Sequence, residues 1–229
     1  MPREHFHEAL EGLELDLLEM GELAVRSIGL AMEALVHHDE AKAIEVIADD
    51  DGIDAKYLEI DQGIFEILAL QTPVAGDLRL LSTILHINPH LERIGDHAVN
   101  FAKILRLTKT LPTEQTILIQ IEEMGHLAQQ IVRTAMEAFA RRDLELCLKL
   151  PKMDDPLDRL NRGMYREVAR LADDPASLDW GMHMNIVARG LERVGDNAVD
   201  IGEQVGFLLT GEFREFTDAS HVVKAADAE

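Results

Sequence analysis

The stretch MGELAVRSIGLAMEALVHHD, residues 20–39, decides the fold, because it recurs without gaps as MGHLAQQIVRTAMEAFARRD at residues 124–143. The two copies lie 104 residues apart, from Met20 to Met124. Further along, LERIGDHAVN at residues 91–100 recurs as LERVGDNAVD at residues 191–200, now with an offset of 100. Two long matches in the same order indicate an internal duplication. The second copy is about four residues shorter between the two matched stretches.

Apolar residues in both copies recur at steps of three and four, which is the period of an amphipathic helix. Each half contains three such stripes. Asp39 and Asp143 precede the second stripe of their half and are typical helix N-caps. Pro73 and Pro175 interrupt the chain between the second and third stripes. Aromatic residues make up only 4% of the chain, a composition that favours packed helices over sheets.

Three amphipathic helices per repeat can close one core, so the sequence predicts an all-α protein of two tandem three-helix bundles. We place the first bundle at residues 1–111, the second at 112–211 and a polar, frayed tail at 212–229. Pro89 falls inside the third helix of the first half, where it is expected to kink or restart that helix. Gly211 is expected to end the last helix, because glycine accepts the left-handed conformation of a C-terminal cap.

The charge of the chain excludes several classes of partner. It has 43 acidic and 22 basic residues, a formal charge of −21, which repels nucleic acid and anionic membrane surfaces. No window reaches the ~18 apolar residues of a membrane span, and Met1–Glu4 does not begin a signal peptide. The single cysteine excludes an intramolecular disulfide. We therefore expect a cytoplasmic protein without direct membrane insertion, which reaches the inner membrane only through protein partners.

Acidic pairs with i,i+4 spacing recur in both halves. This spacing puts both carboxylates on one helix face, where like charges repel by a few tenths of a kcal/mol, so helix stability gives no reason for them. A cation bound between them would remove the repulsion, and all-oxygen ligands suit iron, manganese, magnesium or calcium. The helical phase predicts that the acids meet over the outside of each bundle. Ordinary solvated surface is the alternative. The candidate ligands are Asp50, Asp54, Glu92, Asp96 and Asn100 in the first half, and Asp154, Asp158, Glu192, Asp196 and Asp200 in the second.

The motifs also carry a resemblance. ERIGD at residues 92–96 and ERVGD at 192–196 resemble the duplicated E(D)xxxD signature of the PhoU family of phosphate-transport and phosphate-signalling regulators. TPVAGDLR at 72–79 is similar to the segment that precedes the first of those signatures, and FLLTG at 207–211 is similar to the usual ending of the family. The similarity runs over nearly the whole chain.

The resemblance implies two three-helix bundles in a cytoplasmic, often dimeric protein. It implies metal clusters, iron among them, at the E(D)xxxD motifs of some members. It also implies a regulator without enzymatic activity that links the ATPase subunit of the phosphate ABC transporter to a sensor histidine kinase. Such a regulator keeps the phosphate-starvation response off when phosphate is plentiful. Asn100 stands where the second half has Asp200, which predicts a weaker first site.

Two alternatives remain open. One is a metal-free helical scaffold whose acids only contact partners. The other is a ferritin-like di-iron carboxylate protein, since Glu123 and His126 have the Glu-x-x-His spacing of such sites. That alternative requires ligands in a four-helix core, whereas the acidic pairs are expected to point outward. No glycine-rich phosphate loop and no Ser/His/Asp set is present in the sequence to support hydrolysis or phosphoryl transfer.

Overall fold

The computed structural model describes residues 3–216, which form six α-helices and no strand. The prediction of an all-α protein is therefore confirmed. The first half contains three long helices and the second half contains their three counterparts. Their bounds are α1 Arg3–His37, α2 Glu40–Leu70, α3 Gly76–Thr108, α4 Gln115–Arg141, α5 Leu144–Ala169 and α6 Pro175–Thr210.

The helix ends follow the capping residues found in the sequence. The Asp39 side chain accepts a hydrogen bond from the backbone N–H of Lys42, and Asp143 caps α5 in the same way. Pro175 is the first residue of α6, where its missing N–H costs nothing. Gly211 ends α6 with φ +76°, a left-handed conformation that glycine adopts without strain.

Each half is an up–down–up bundle, and the two bundles lie side by side. Within the first half α1, α2 and α3 all contact one another, while α5 and α4 each pack on α6 and on each other in the second. Between the halves α1 packs on α4 and α3 packs on α6. The buried apolar side chains of all six helices form one continuous core. The connection between the halves lies between Thr108 and Gln115, on either side of the predicted junction at 111/112.

The repeated motif of α1 and α4 forms part of the contact between the bundles. A Cβ placed on Gly21 would lie 2.9 Å from the Met136 side chain, and one placed on Gly125 would lie 2.5 Å from that of Met32. These contacts are reciprocal, because Gly21 corresponds to Gly125 and Met32 to Met136. The two copies therefore meet as the subunits of a two-fold dimer do, with the same patch on both sides.

Two expectations are compared with the described residues. α3 runs without interruption through Pro89, so the helix does not restart there, and a kink at this proline stays a prediction. The segment after Gly211 is not frayed at its beginning, because the backbone N–H of Phe216 donates to the Glu203 carboxylate at 2.7 Å. The Phe216 ring lies against Gly202 and Gly206 of α6, where the absence of side chains leaves room for it. The rest of the predicted tail, from Thr217, lies outside the described residues.

Candidate functional site

The first acidic cluster, which comprises Asp50, Asp54, Glu92 and Asp96, lies where α2 packs on α3. Burial and the neighbouring charges of Asp54 and Asp96 raise the pKa of Asp50 above its ordinary value. Burial, Asp96 and Asp54 also raise the pKa of Glu92. The predicted pairs from two helices therefore come close enough to repel one another. Lys103 opposes this effect by lowering the pKa of Asp50.

The second acidic cluster, which comprises Asp154, Asp158, Glu192 and Asp196, lies at the equivalent contact of α5 with α6. Asp154 is buried, with only 9% of its surface exposed, and its Oδ1 atom has no hydrogen-bond partner. Burial, with Asp158 and Asp196 adding to it, raises the pKa of Asp154 to about 7. Burial and the charge of Glu192 raise the pKa of Asp196 to about 6. The prediction that the acids meet over the outside is therefore wrong for Asp154.

Gly195 explains how an aspartate comes to lie inside the second bundle. A Cβ at this position would overlap with the Oδ1 atom of Asp154. Glycine therefore leaves the space that the carboxylate fills, in addition to the close helix packing expected from sequence. At Gly95 the corresponding space is filled by Ile53, whose Cδ1 lies 2.8 Å from the ideal Cβ position, while Asp50 Oδ1 is 3.7 Å away.

The remaining two candidate ligands lie toward the contact of α3 with α6. Asp200 Oδ2 is 3.7 Å from Nδ1 of His90. Burial raises the pKa of Asp200, while the charges of His90 and Arg93 lower it. Asn100 is exposed and lines a groove between the same two helices. Any ligand role for either residue stays a prediction.

The chemistry of the second cluster fits a hard cation. Four carboxylates approach one another, and one of them has a buried oxygen atom without a partner, a group that costs free energy unless something binds it. Within residues 3–216, however, no three His, Cys, Asp or Glu side chains are arranged around one point as metal ligands. A cation would therefore have to draw the carboxylates together by rotation of their side chains.

The residues of the ferritin-like alternative do not reach a core. Glu123 and His126 of α4 are both exposed, so they do not project into the interior as di-iron ligands do. These two residues therefore have the spacing of di-iron ligands but not the position inside a helical core.

Sequence reasoning missed the two cations that act on the acidic clusters, Lys103 and Arg189. Arg189 lowers the pKa of Asp196, as Lys103 does that of Asp50. The repeat offset of 100 offered a signal, because it pairs Lys103 with Glu203 and His90 with Gly190. These unlike pairs mark the places where the two halves differ in function or packing.

Comparisons with known proteins agree with the fold. The model of the PhoU domain matches the chain twice, at residues 17–105 and 121–205. A phosphate-specific transport system accessory protein PhoU homolog from Clostridium acetobutylicum is 33% identical over 222 residues, which is 95% of this chain and all of that protein. A PhoU homolog from Thermotoga maritima is 32% identical over 93% of this chain and 92% of its own length.

Two crystal structures have the same architecture. PhoU from Pseudomonas aeruginosa superposes with a TM-score of 0.85 at 32% identity, and the match covers 90% of this chain and 100% of that one. The phosphate transport system regulatory protein PhoU from Streptococcus pneumoniae gives 0.82 at 27% identity, with 91% and 99% coverage. No helix among the described residues is long and apolar enough to cross a bilayer. Two family domains that cover both bundles, together with relatives above 30% identity over nearly the whole chain, show that this protein belongs to the PhoU family.

Proposed function

We propose that this protein is a non-enzymatic, cytoplasmic regulator of phosphate uptake and of the phosphate-starvation response. The observation that carries the proposal is the match of both bundles to PhoU domains, in relatives named as accessory proteins of phosphate-specific transport. The partners implied are the ATPase subunit of the phosphate ABC transporter and a sensor histidine kinase. A homodimer is also expected, and light scattering on the purified protein measures it.

The rigid helical body supports action by contact. All six helices share one core, so a partner that binds one face meets a surface that is already ordered and loses little conformational entropy. The charge of −21 favours encounter with basic patches on a partner, mainly by raising the association rate. Simultaneous contact with a transporter subunit and a kinase would let one protein report the state of uptake to the other.

We also propose that the acidic clusters bind a hard cation such as iron, manganese or magnesium. The buried, unpartnered Oδ1 atom of Asp154 and the mutual repulsion of the four carboxylates in the second cluster support this proposal. A bound cation would neutralise the cluster and fix α5 against α6. The metal-free scaffold remains the second candidate, because the ligand side chains do not surround one point as they stand.

The test is genetic. Deletion of the gene should leave phosphate-starvation genes switched on in phosphate-rich medium, as a transcriptional reporter would show, and restoring the gene should silence them. If a strain without any copy of the gene regulates the reporter normally, the regulatory proposal is wrong.

A variant pair separates metal binding from scaffolding in the same strain. The double substitution Glu192→Gln, Asp196→Asn removes charge from the second cluster, and Glu92→Gln, Asp96→Asn makes the matched change in the first. If metal is required, the second-cluster variant should fail to silence the reporter. Full silencing by both variants, with no metal bound, would leave the metal-free scaffold.

A further inference from the structure

A groove of about 640 Å³ runs along the contact of α3 with α6, between the two bundles. Its floor is apolar and includes Phe101, Ile104 and Gly190. Leu107 of α3 and Ile186 of α6 line its two sides, with 69% and 59% of their surfaces exposed. Because both side chains border the same groove as its apolar floor, they form one apolar patch and not two isolated exposed residues.

Three cations line the same groove, and we call them the groove cations: Lys103, Arg189 and Arg193. All three are exposed, and none takes part in an ion pair within 4.0 Å among the described residues. The groove therefore presents three cations without an acid within 4.0 Å, although Lys103 acts over a longer distance on Asp50 and Arg189 on Asp196.

The duplication gives the groove a counterpart at the other end of the same helix contact, where the lining residues differ. The duplication places His90 where Gly190 stands and Glu203 where Lys103 stands. His90 is largely buried, and its Nδ1 lies 2.7 Å from Oδ1 of Asn197 across the contact. At the open end Phe101 lies so close to Gly190 that a Cβ would be 2.5 Å from its ring. The two ends therefore differ in what fills the contact: the His90 side chain does so at one end, and the Phe101 ring covers Gly190 at the other.

The shape of the groove suits a helix. Its α3 wall runs from His97 to Leu107, which is about 15 Å or three helical turns. Arg189 and Arg193 are one turn apart on the opposite wall from Lys103, so their charges are spread along the groove and do not converge on one point. Such an arrangement matches carboxylates spaced along a helix and does not form a pocket for one small anion.

We propose that this groove binds an amphipathic helix of a partner protein, with its apolar stripe between Leu107 and Ile186 and its acidic side chains beside the groove cations. Charge complementarity selects this occupant. The apolar floor supplies affinity, and the groove cations set the orientation of the bound helix and raise its association rate. This inference rests on the proposed function in one respect, namely that the protein acts by contacting other proteins.

The probe is a stapled synthetic helix of about four turns, with leucines along one face and glutamates on both flanks. Two sister peptides carry lysine in place of glutamate, or serine in place of leucine. Binding is followed by methyl NMR of Leu107 and Ile186 in the full chain. The glutamate peptide should shift both methyl signals saturably. Neither sister peptide should do so, although the lysine peptide is attracted by the overall negative charge.

The variants separate apolar contact from charge. The double variant Leu107→Ser, Ile186→Ser should no longer bind the glutamate peptide, as fluorescence anisotropy would measure. Both side chains are exposed, so the fold does not depend on them. Ile119→Ser, Leu148→Ser is the matched control, since these residues are about equally exposed but lie outside the groove. The control should bind unchanged. Arg189→Glu should weaken binding by about tenfold or more, the effect expected of a close charge reversal. Thermal melting confirms that each variant folds.

Several results would overturn the proposal. One is the absence of saturable shifts at millimolar glutamate peptide, and another is equal binding by Leu107→Ser, Ile186→Ser. Conversion of a dimer to a monomer by the groove variants would assign the groove to a second copy. Binding that appears only after removal of residues 217–229 would assign it to this chain's own tail.

The reporter strain distinguishes this inference from the proposed function. If deletion of the gene derepresses the reporter but Leu107→Ser, Ile186→Ser silences it fully, the groove proposal is overturned and the regulatory function stands. If deletion has no effect, the regulatory function fails, and the peptide experiment alone then decides whether the groove binds an acidic helix. If Leu107→Ser, Ile186→Ser fails to silence the reporter while the control Ile119→Ser, Leu148→Ser silences it, both the regulatory function and the groove proposal are supported.

Discussion

The two acidic clusters have the same pattern of carboxylates but differ in their surroundings. In the first cluster every acid is at least partly exposed, whereas the second contains Asp154, which is buried and has an oxygen atom without a partner. The pKa of Asp154 rises to about 7, while Asp50 at the equivalent position shows a raised pKa that Lys103 opposes. Duplication thus preserved the acids and changed the electrostatic cost of holding them together.

The cause of this difference lies in the neighbours of the clusters. Lys103 lies near the first cluster, and the second half has Glu203 at that position. The space above Gly95 is taken by Ile53, but the space above Gly195 is taken by Asp154 itself. Arg189 acts on the second cluster as Lys103 acts on the first, so the main difference is the burial of Asp154. This burial makes the second cluster the better candidate for a tightly bound cation.

The largest expected effect is on metal binding. Glu192→Gln, Asp196→Asn should weaken binding of Mn²⁺ at the second cluster by about a hundredfold, because two charged ligands are lost where the carboxylates are least hydrated. Calorimetric titration of chelator-treated protein measures this. Glu92→Gln, Asp96→Asn is the matched control and should leave the tighter site within about threefold. Unchanged binding in the second-cluster variant would show that the cation, if any, binds elsewhere.

The next effect is on stability and its dependence on pH, in metal-free protein. The folded-state pKa of Asp154 is about 7, against an ordinary value of 3.8. Between about pH 4 and pH 7 the folded protein therefore holds a proton on Asp154 that the unfolded chain has lost. The contribution of Asp154 to stability is fully present below about pH 4 and is lost as pH rises through about 7. Asp154→Asn should remove this loss and raise the free energy of unfolding at pH 8 by about 1–3 kcal/mol.

Urea unfolding at several pH values measures the effect, and Asp50→Asn is the comparison from the first half. Asp50 is partly exposed, and Lys103 acts on it, so Asp50→Asn should raise the free energy of unfolding by less than Asp154→Asn does. A decrease in stability of Asp154→Asn at pH 8 would mean that the buried carboxylate makes a favourable contact that outweighs its repulsion.

Much of the fold could be predicted from particular residues. The match of residues 20–39 with 124–143 indicated the duplication, and the caps Asp39 and Asp143 located the second helices. Pro89 left open whether the third helix restarts, and the helix continues through it because the buried side chains on both sides of the proline hold the helix in the core. Docking of Phe216 had no local signal, since it depends on the space above Gly202 and Gly206.

The approach of the acidic pairs to one another was predictable from sequence, but the burial of Asp154 was not. The i,i+4 spacing placed each pair on one face, and the structure brings the pairs from adjacent helices together. Helical phase alone could not show that Asp154 is buried, because burial there depends on how closely α5 approaches Gly195. The groove between α3 and α6 depends on contact between the bundles, which periodicity within one helix does not report.

The smallest expected effect concerns the charge beside the first cluster. Lys103→Glu gives the first half the residue type of the second, and it removes the cation that lowers the pKa of Asp50. Cation binding at the first cluster should strengthen by about two- to fivefold, because the exchange is made at an exposed position where water and salt screen the charge. Lys109→Glu changes the net charge equally, but it lies beside Glu40 and farther along α3, so it should change the affinity less. Titration of Mn²⁺ in the background of Glu192→Gln, Asp196→Asn isolates the first cluster. If Lys103→Glu and Lys109→Glu raise the Mn²⁺ affinity equally, the effect comes from net charge. The local difference between the two halves then does not set the affinity of their acidic clusters.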